Sequence, residues 1–109
     1  MAFDEALAER VREALVGRAD VSERRMFGGI AFMVAGNMAV GILDEDLMVR
    51  LGAEDAERAL AEPHVRPMDF TGRPMKNMVF VGPQGTASEQ DLAAWVDAGA
   101  DFASSLPPK

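Results

Sequence analysis

Apolar residues recur at helical spacing in three parts of the chain. The first part predicts an amphipathic helix over about residues 2–17. Its apolar residues are Phe3, Leu7, Val11 and Leu15, each four positions from the next. A short helix is predicted from Ala53 to Glu62, because Pro63 cannot continue it. The third helix begins at a capping-box-like segment, Ser88-Glu89-Gln90-Asp91, and keeps an apolar stripe to Leu106.

Between these helices the apolar residues form short runs bounded by turn residues. Residues 26–51 hold three such runs, separated by Ala-Gly-Asn and Asp-Glu-Asp segments. This pattern predicts a three-stranded antiparallel meander. Val65–Met68 and Met75–Val81 predict a second hairpin, closed by a turn over residues 69–73.

The predicted order of elements is α-β-β-β-α-β-β-α. Hairpin connections dominate, and no strand-helix-strand repeat is present. We therefore expect an α+β fold: an antiparallel five-stranded sheet with helices mainly on one face. The length of 109 residues suits one hydrophobic core, so residues 1–109 are expected to form a single domain.

Both faces of the first strands are apolar. A strand with one face in solvent alternates apolar and polar residues. Every residue from Ile30 to Val34 is apolar, so both sides of the sheet should be covered. Seven of the eight methionines lie in residues 26–78. They either fill the core or, at Met33, Met38 and Met48, form a face for association with a second copy or a partner.

Charge is unevenly distributed along the chain. The formal net charge is −7, which argues against direct binding to nucleic-acid phosphates. Residues 63–76 nevertheless carry a net charge of +2, from Arg66, Arg73 and Lys76 against Asp69. Such a patch is either solvated surface or a contact for a partner or an anion. Arg50 either lies at a solvated edge, pairs with an acid or belongs to the same contact.

The residues available for chemistry are few. The chain has no Cys, no Tyr and one His, which excludes disulfides, thiolate chemistry and cysteine-based metal sites. His64 has no second His or Cys with which to share a metal, so an ordinary structural or surface histidine is expected. The acidic turn at residues 44–46 lacks the spacing of a calcium loop. We expect no catalytic residues, metal or cofactor.

No targeting or membrane segment is predicted. The N-terminus lacks the basic stretch and apolar core of a secretory signal. No apolar run approaches the roughly 18 residues that a membrane-spanning helix needs. A cytoplasmic location is expected.

One motif resembles a known family. The segment Arg25-Met26-Phe27-Gly28-Gly29, followed by Gly36, Gly41 and residues 46–50, is similar to the N-terminal domain of the TfoX/Sxy family. Residues 66–76 resemble the version found in stand-alone, single-domain members. The resemblance implies the same fold over nearly the whole chain. It also implies a relation to regulators of natural competence in bacteria, which act with the cyclic-AMP receptor protein at promoters. It supplies no catalytic residues.

Three functional hypotheses follow. The first is a non-enzymatic interaction module in transcriptional regulation, whose partner is a protein such as a transcription regulator. The residues predicted to contact the partner are Arg25, Arg50, Arg66, Arg73 and Lys76, with Phe27 and Asp69 in supporting roles. The alternative is a small-molecule or anion-binding domain, or a minor enzyme, in which the basic residues converge on one cleft. The third is a homodimer formed through the second face of the sheet.

Overall fold

A computed structural model describes residues 3–26, 28–69 and 74–108. Within them the chain forms three α-helices and one six-stranded antiparallel sheet. The helices are α1 (Glu5–Ala14), α2 (Ala53–Ala59) and α3 (Glu89–Ser104), and a 3₁₀ turn at Pro83–Thr86 precedes α3. The strands are β1 (Val21–Met26), β2 (Gly29–Val34), β3 (Asn37–Leu43), β4 (Asp46–Arg50), β5 (Val65–Asp69) and β6 (Pro74–Val81). They lie in the order β1-β2-β3-β4-β6-β5, which confirms the α+β class.

The prediction of five strands was wrong, because β1 precedes the predicted meander. The observed order is α-β-β-β-β-α-β-β-α. The sequence of β1, Val-Ser-Glu-Arg-Arg-Met, has no apolar run. It pairs with β2 along its whole length, and polar contacts hold it against the rest of the fold. Arg12 of α1 donates two hydrogen bonds to Glu23, at 2.7 and 2.9 Å. The guanidinium carbon of Arg25 lies 5.4 Å from the centroid of the Phe3 ring.

Capping residues determine where two of the helices begin. The carboxylate of Asp4 accepts hydrogen bonds from the backbone N–H groups of Ala6 (2.9 Å) and Leu7 (3.2 Å), so α1 begins after Asp4 rather than at residue 2. The hydroxyl of Ser88 accepts from the N–H of Asp91 at 3.0 Å, as the sequence predicted for α3. All three helices end earlier than predicted. The apolar pattern continues past the last residue of α1 and of α3, and α2 ends at Ala59, four residues before Pro63.

All three helices pack on the same face of the sheet, which we call the helix face. Its strand residues are aliphatic or aromatic and almost fully buried, as at Phe32, Ile42, Leu47 and Val49, each 0% exposed. α3 crosses this face so closely that a Cβ on Gly99 would lie 2.5 Å from the carbonyl oxygen of Ala39. The helix face and the inner sides of the helices share one core.

The opposite face carries a second apolar cluster, which we call the methionine face. It consists of Met38, Leu43, Met48, Met78 and Phe80. Met48 is 0% exposed, which confirms that both sides of the sheet are covered. It also leaves Met48 no exposed area for the predicted association face, whereas Met33 and Met38 are half-buried.

Backbone conformation and close packing explain why glycine occurs in the hairpins. Ala35 and Gly36 both have positive φ, 52° and 83°, as a two-residue turn of the mirror-image class requires. A Cβ on Gly29 would lie 2.1 Å from the carbonyl oxygen of Ile42, so only glycine fits there. The backbones of β2 and β3 therefore pack closely at this position.

Candidate functional site

The structure places three of the predicted contact residues at three separate sites. Arg25 lies on β1, at one edge of the sheet, and Arg66 lies on β5, at the other. Arg50 ends the interior strand β4. Phe27 and Arg73 lie outside the described residues, as do the side chains of Asp69 and Lys76.

Arg66 is held by neighbouring side chains. Its Nη2 donates a hydrogen bond to Oδ2 of Asp46 at 2.6 Å, and its guanidinium carbon lies 4.7 Å from the centroid of the Phe80 ring. The hydrogen bond with Asp46 raises the pKa of Arg66, although partial burial opposes the charged form. Arg66 therefore covers one edge of the methionine face.

Arg50 contacts an aromatic ring. Its guanidinium carbon lies 5.7 Å from the centroid of the Phe102 ring on α3. Since Arg25, Arg50 and Arg66 contact different elements, these three residues form no common cleft. The geometry of the described residues therefore does not support an anion pocket built from them.

A groove lies between α2 and α3, which we call the α2–α3 groove. Its volume is about 590 Å³, within the range of roughly 300–1,000 Å³ that is usual for binding sites. The lining residues are Leu51, Asp55, Arg58, Ala59, Glu62, Trp95, Ala98, Asp101, Phe102 and Ser105. None of these was among the predicted contact residues.

The groove exists because α3 carries two apolar stripes. One stripe is buried against the sheet and contains Leu92, Val96, Ala100 and Ala103. The other contains Trp95, Ala98 and Phe102, which are only half-buried. The sequence assigned all of α3's large apolar residues to one core stripe. The sequence did contain one indication of the second stripe: the apolar face of α3 is wider than contact with the sheet alone can bury.

The wall of the groove that α2 forms offers little apolar surface, because the helix is short and its buried residues are small. Ala56 and Ala59 are the residues that α2 buries. Leu51, just before α2, is 4% exposed and belongs to the core beneath the groove. The aromatic wall formed by Trp95 and Phe102 therefore faces a smaller, more polar wall.

Acidic side chains dominate the rim of the groove. Three carboxylates and one guanidinium line it. Arg58 pairs with Asp55, and Arg18 of the α1–β1 connection donates to Asp101 at 3.0 Å. Burial opposes the charged form of Arg18, but its hydrogen bonds with Asp101 and Asp97 outweigh this and raise its pKa. Glu62 has no ion-pair partner among the described side chains.

The described residues bring no metal-binding group together. His64 is exposed and has a positive φ of 67°, and its carbonyl oxygen accepts a hydrogen bond from Gly82 at 2.8 Å. The acidic turn at residues 44–46 is a hairpin turn in which Asp46 accepts from Arg66. No helix within the described ranges is long and apolar enough to cross a membrane.

The comparison of the sequence with protein families identifies one match. The profile described as the TfoX N-terminal domain matches residues 13–103. The chain belongs to the TfoX N-terminal domain family. The matched range includes β1 to β6 and nearly all of α3, so it contains the whole sheet and every residue that lines the α2–α3 groove except Ser105. No curated protein and no solved structure matched this chain significantly.

Proposed function

We propose that this TfoX N-terminal domain is a non-enzymatic module that acts in transcriptional regulation by binding another protein. The observation that carries the proposal is the α2–α3 groove, where Trp95 and Phe102 are half-buried in a concave surface. Large aromatic residues at the centre of such surfaces supply much of the binding energy in protein complexes. Membership of the TfoX family supports a regulatory role.

The charge of the chain supports a protein partner over a nucleic acid. The chain carries −7, and the rim of the groove is acidic. A phosphate backbone would be repelled by such a surface. A protein with a basic surface would instead be attracted to it.

The experiment is transcript profiling of the source organism. The strain lacking this gene should show altered transcripts, and the wild-type gene should restore them. Ala98→Lys, which places a long charged side chain in the groove, should fail to restore them. Ala94→Lys is the matched control, because Ala94 is exposed on the same helix and does not line the groove.

Affinity capture gives the second readout. Tagged wild-type protein should recover a transcription regulator or a polymerase-associated protein. The charge reversal Arg50→Glu with Arg73→Glu tests the residues that the sequence predicted, beside Ala98→Lys for the groove. Unchanged transcripts in the deletion strain, together with capture of no such protein, would refute the proposed function.

A further inference from the structure

The shape of the α2–α3 groove matches a helix. Along α3 its lining residues follow helical spacing at Trp95, Ala98 and Phe102, and they reach Ser105. The ten steps from Trp95 to Ser105, at about 1.5 Å each, span about 15 Å, which is longer than two helical turns of about 10.8 Å. An open groove between two helices accepts the side-chain ridge of a third helix, whose anchors recur at i, i+3, i+4 and i+7.

The surface of the groove indicates what that ridge contains. Trp95, Ala98 and Phe102 offer apolar contacts, and Leu51 lies beneath them. Aliphatic side chains such as Leu fill this kind of surface without leaving a polar group unpaired. The groove is also open, so the far side of the bound helix stays in solvent, as it would on a segment of a larger protein.

The charged residues at the rim of the groove indicate which charges lie beside the ridge of the bound helix. Asp55, Glu62 and Asp101 surround the apolar surface. Asp55 is already paired with Arg58, and Asp101 is already paired with Arg18. Among the described side chains, Glu62 is the lining carboxylate that no cation pairs with, so it is the one available to a partner. The net charge of −7 attracts a basic segment over longer distances.

We propose that the α2–α3 groove binds an amphipathic helical segment of a partner protein, which presents an aliphatic ridge flanked by Lys or Arg. This inference rests on the proposed function and names the class of partner segment. The bound ridge lies against Trp95 and Phe102, and its basic residues lie near Glu62.

Synthetic peptides of about 15 residues, long enough to form a helix, are the probes. One carries Leu at i, i+3, i+4 and i+7 with Lys on both flanks. A second has the same ridge with Glu flanks, and a third scrambles the first so that no ridge forms. All three lack Trp, so emission from Trp95, the single Trp of the chain, reports binding at the groove.

The Lys-flanked peptide should shift the Trp95 emission saturably. The Glu-flanked and scrambled peptides should bind at least about tenfold more weakly, a difference of about 1.4 kcal/mol. Equal dissociation constants for the Lys-flanked and Glu-flanked peptides would overturn the charge assignment. Equal constants for the ridged and scrambled peptides would overturn the helical ridge.

Two charge reversals, one on α2 and one just after it, separate local contacts from overall charge. Glu62→Lys should raise the dissociation constant of the Lys-flanked peptide about fivefold. Glu57→Lys changes the net charge equally, but Glu57 is exposed outside the groove, and the constant should change less than about twofold. Both positions are exposed, so both variants keep the fold. Equal effects would show that only net charge matters and would overturn the proposal.

Ala98→Lys should weaken the same peptide by about tenfold or more, and Ala94→Lys by less than about twofold. Light scattering on the free protein tests a second copy as the occupant. A dimer that Ala98→Lys dissociates would overturn the partner assignment. If the peptides fail while the deletion strain shows altered transcripts, this inference fails and the proposed function stands. If the peptides bind as expected while transcripts are unchanged, the regulatory function fails and the groove assignment stands.

Discussion

The helix face and the methionine face belong to the same sheet and are both buried, but by different kinds of side chain. On the helix face, Leu47 and its aliphatic neighbours pack against all three helices. On the methionine face, Met48 packs with Met78 and Phe80, and no described helical residue belongs to that cluster. Leu47 and Met48 are consecutive residues, and each is 0% exposed.

The difference shows that equal burial does not mean equal constraint. On the helix face, backbone approaches backbone, as at Gly99 against Ala39. On the methionine face, the terminal methyl groups of Met38 and Met48 lie over Gly41. A thioether side chain can change its torsion angles to fill a gap, whereas a closely packed helix cannot move locally. We therefore expect substitutions on the helix face to cost more.

Truncation of the two consecutive residues should give the largest contrast. Leu47→Ala should lower the free energy of unfolding by about 4 kcal/mol, because the surrounding helices cannot collapse into the cavity. Met48→Ala should cost about 2 kcal/mol, since the neighbouring methionine side chains can relax into the space. Urea denaturation monitored by Trp95 fluorescence measures both. Equal losses would mean that the methionine face is as rigid as the helix face.

Replacing a buried glycine by alanine should give a smaller difference in stability between the two faces, and the larger loss is again expected on the helix face. In Gly99→Ala the new Cβ would meet the Ala39 carbonyl oxygen at 2.5 Å and Cγ1 of Val40 at 2.8 Å. We expect a net loss of about 2 kcal/mol, after the gain of about 1 kcal/mol that Ala brings to a helix.

Gly41→Ala is the matched change on the methionine face. Its Cβ would meet Cε of Met48 at 2.7 Å, a mobile group, and the Ile30 carbonyl oxygen only at 3.0 Å. The expected loss is about 1 kcal/mol. Thermal unfolding measures both variants, and a larger loss for Gly41→Ala than for Gly99→Ala would reverse the comparison.

The ion pairs at the two sheet edges should give the smallest effects. Hydrogen bonds from Arg12 lower the pKa of Glu23 below its ordinary value of 4.5. The stabilisation is therefore present above about pH 4.5 and is lost as the pH falls through the lowered pKa. Both side chains are about one-third exposed, so Glu23→Gln should cost at most about 1 kcal/mol at pH 7.

The difference in stability between wild type and Glu23→Gln should shrink as the pH falls below 4.5, which denaturation at pH 7, 5 and 3 would measure. Asp46→Asn is the comparison, because it removes the negative charge that pairs with Arg66 on the methionine face. It should cost less than Glu23→Gln, at most about 0.5 kcal/mol. A pH-independent difference for Glu23→Gln would show that the Arg12 contact does not hold β1.

Local patterns were enough to predict much of the fold. Spacing of apolar residues located all three helices, and turn residues located the meander and the β5–β6 hairpin. The capping role of Ser88 followed from its own neighbours. β1 was missed, because its polar residues are held by Arg12 and Phe3, and neither contact leaves a pattern within the strand itself.

The candidate site was the least predictable part. The predicted contact surface contained both Arg25 and Arg66, but strand order places them at opposite edges of the sheet. The α2–α3 groove was missed because it joins residues about 40 positions apart. Trp95 looked like a core residue, since a helical stripe does not show how many of its residues a neighbour covers.

By itself, the sequence determined the α+β class, the places where the helices form, the coverage of both sheet faces and the family. These properties depend on residue type, on spacing within a few positions and on a short motif, all of which are present before folding. Tertiary structure decided the sixth strand, the separation of the arginines and the groove beside Trp95. Each of these depends on contacts between distant segments, and the free energy of such contacts exists only when the chain brings the segments together.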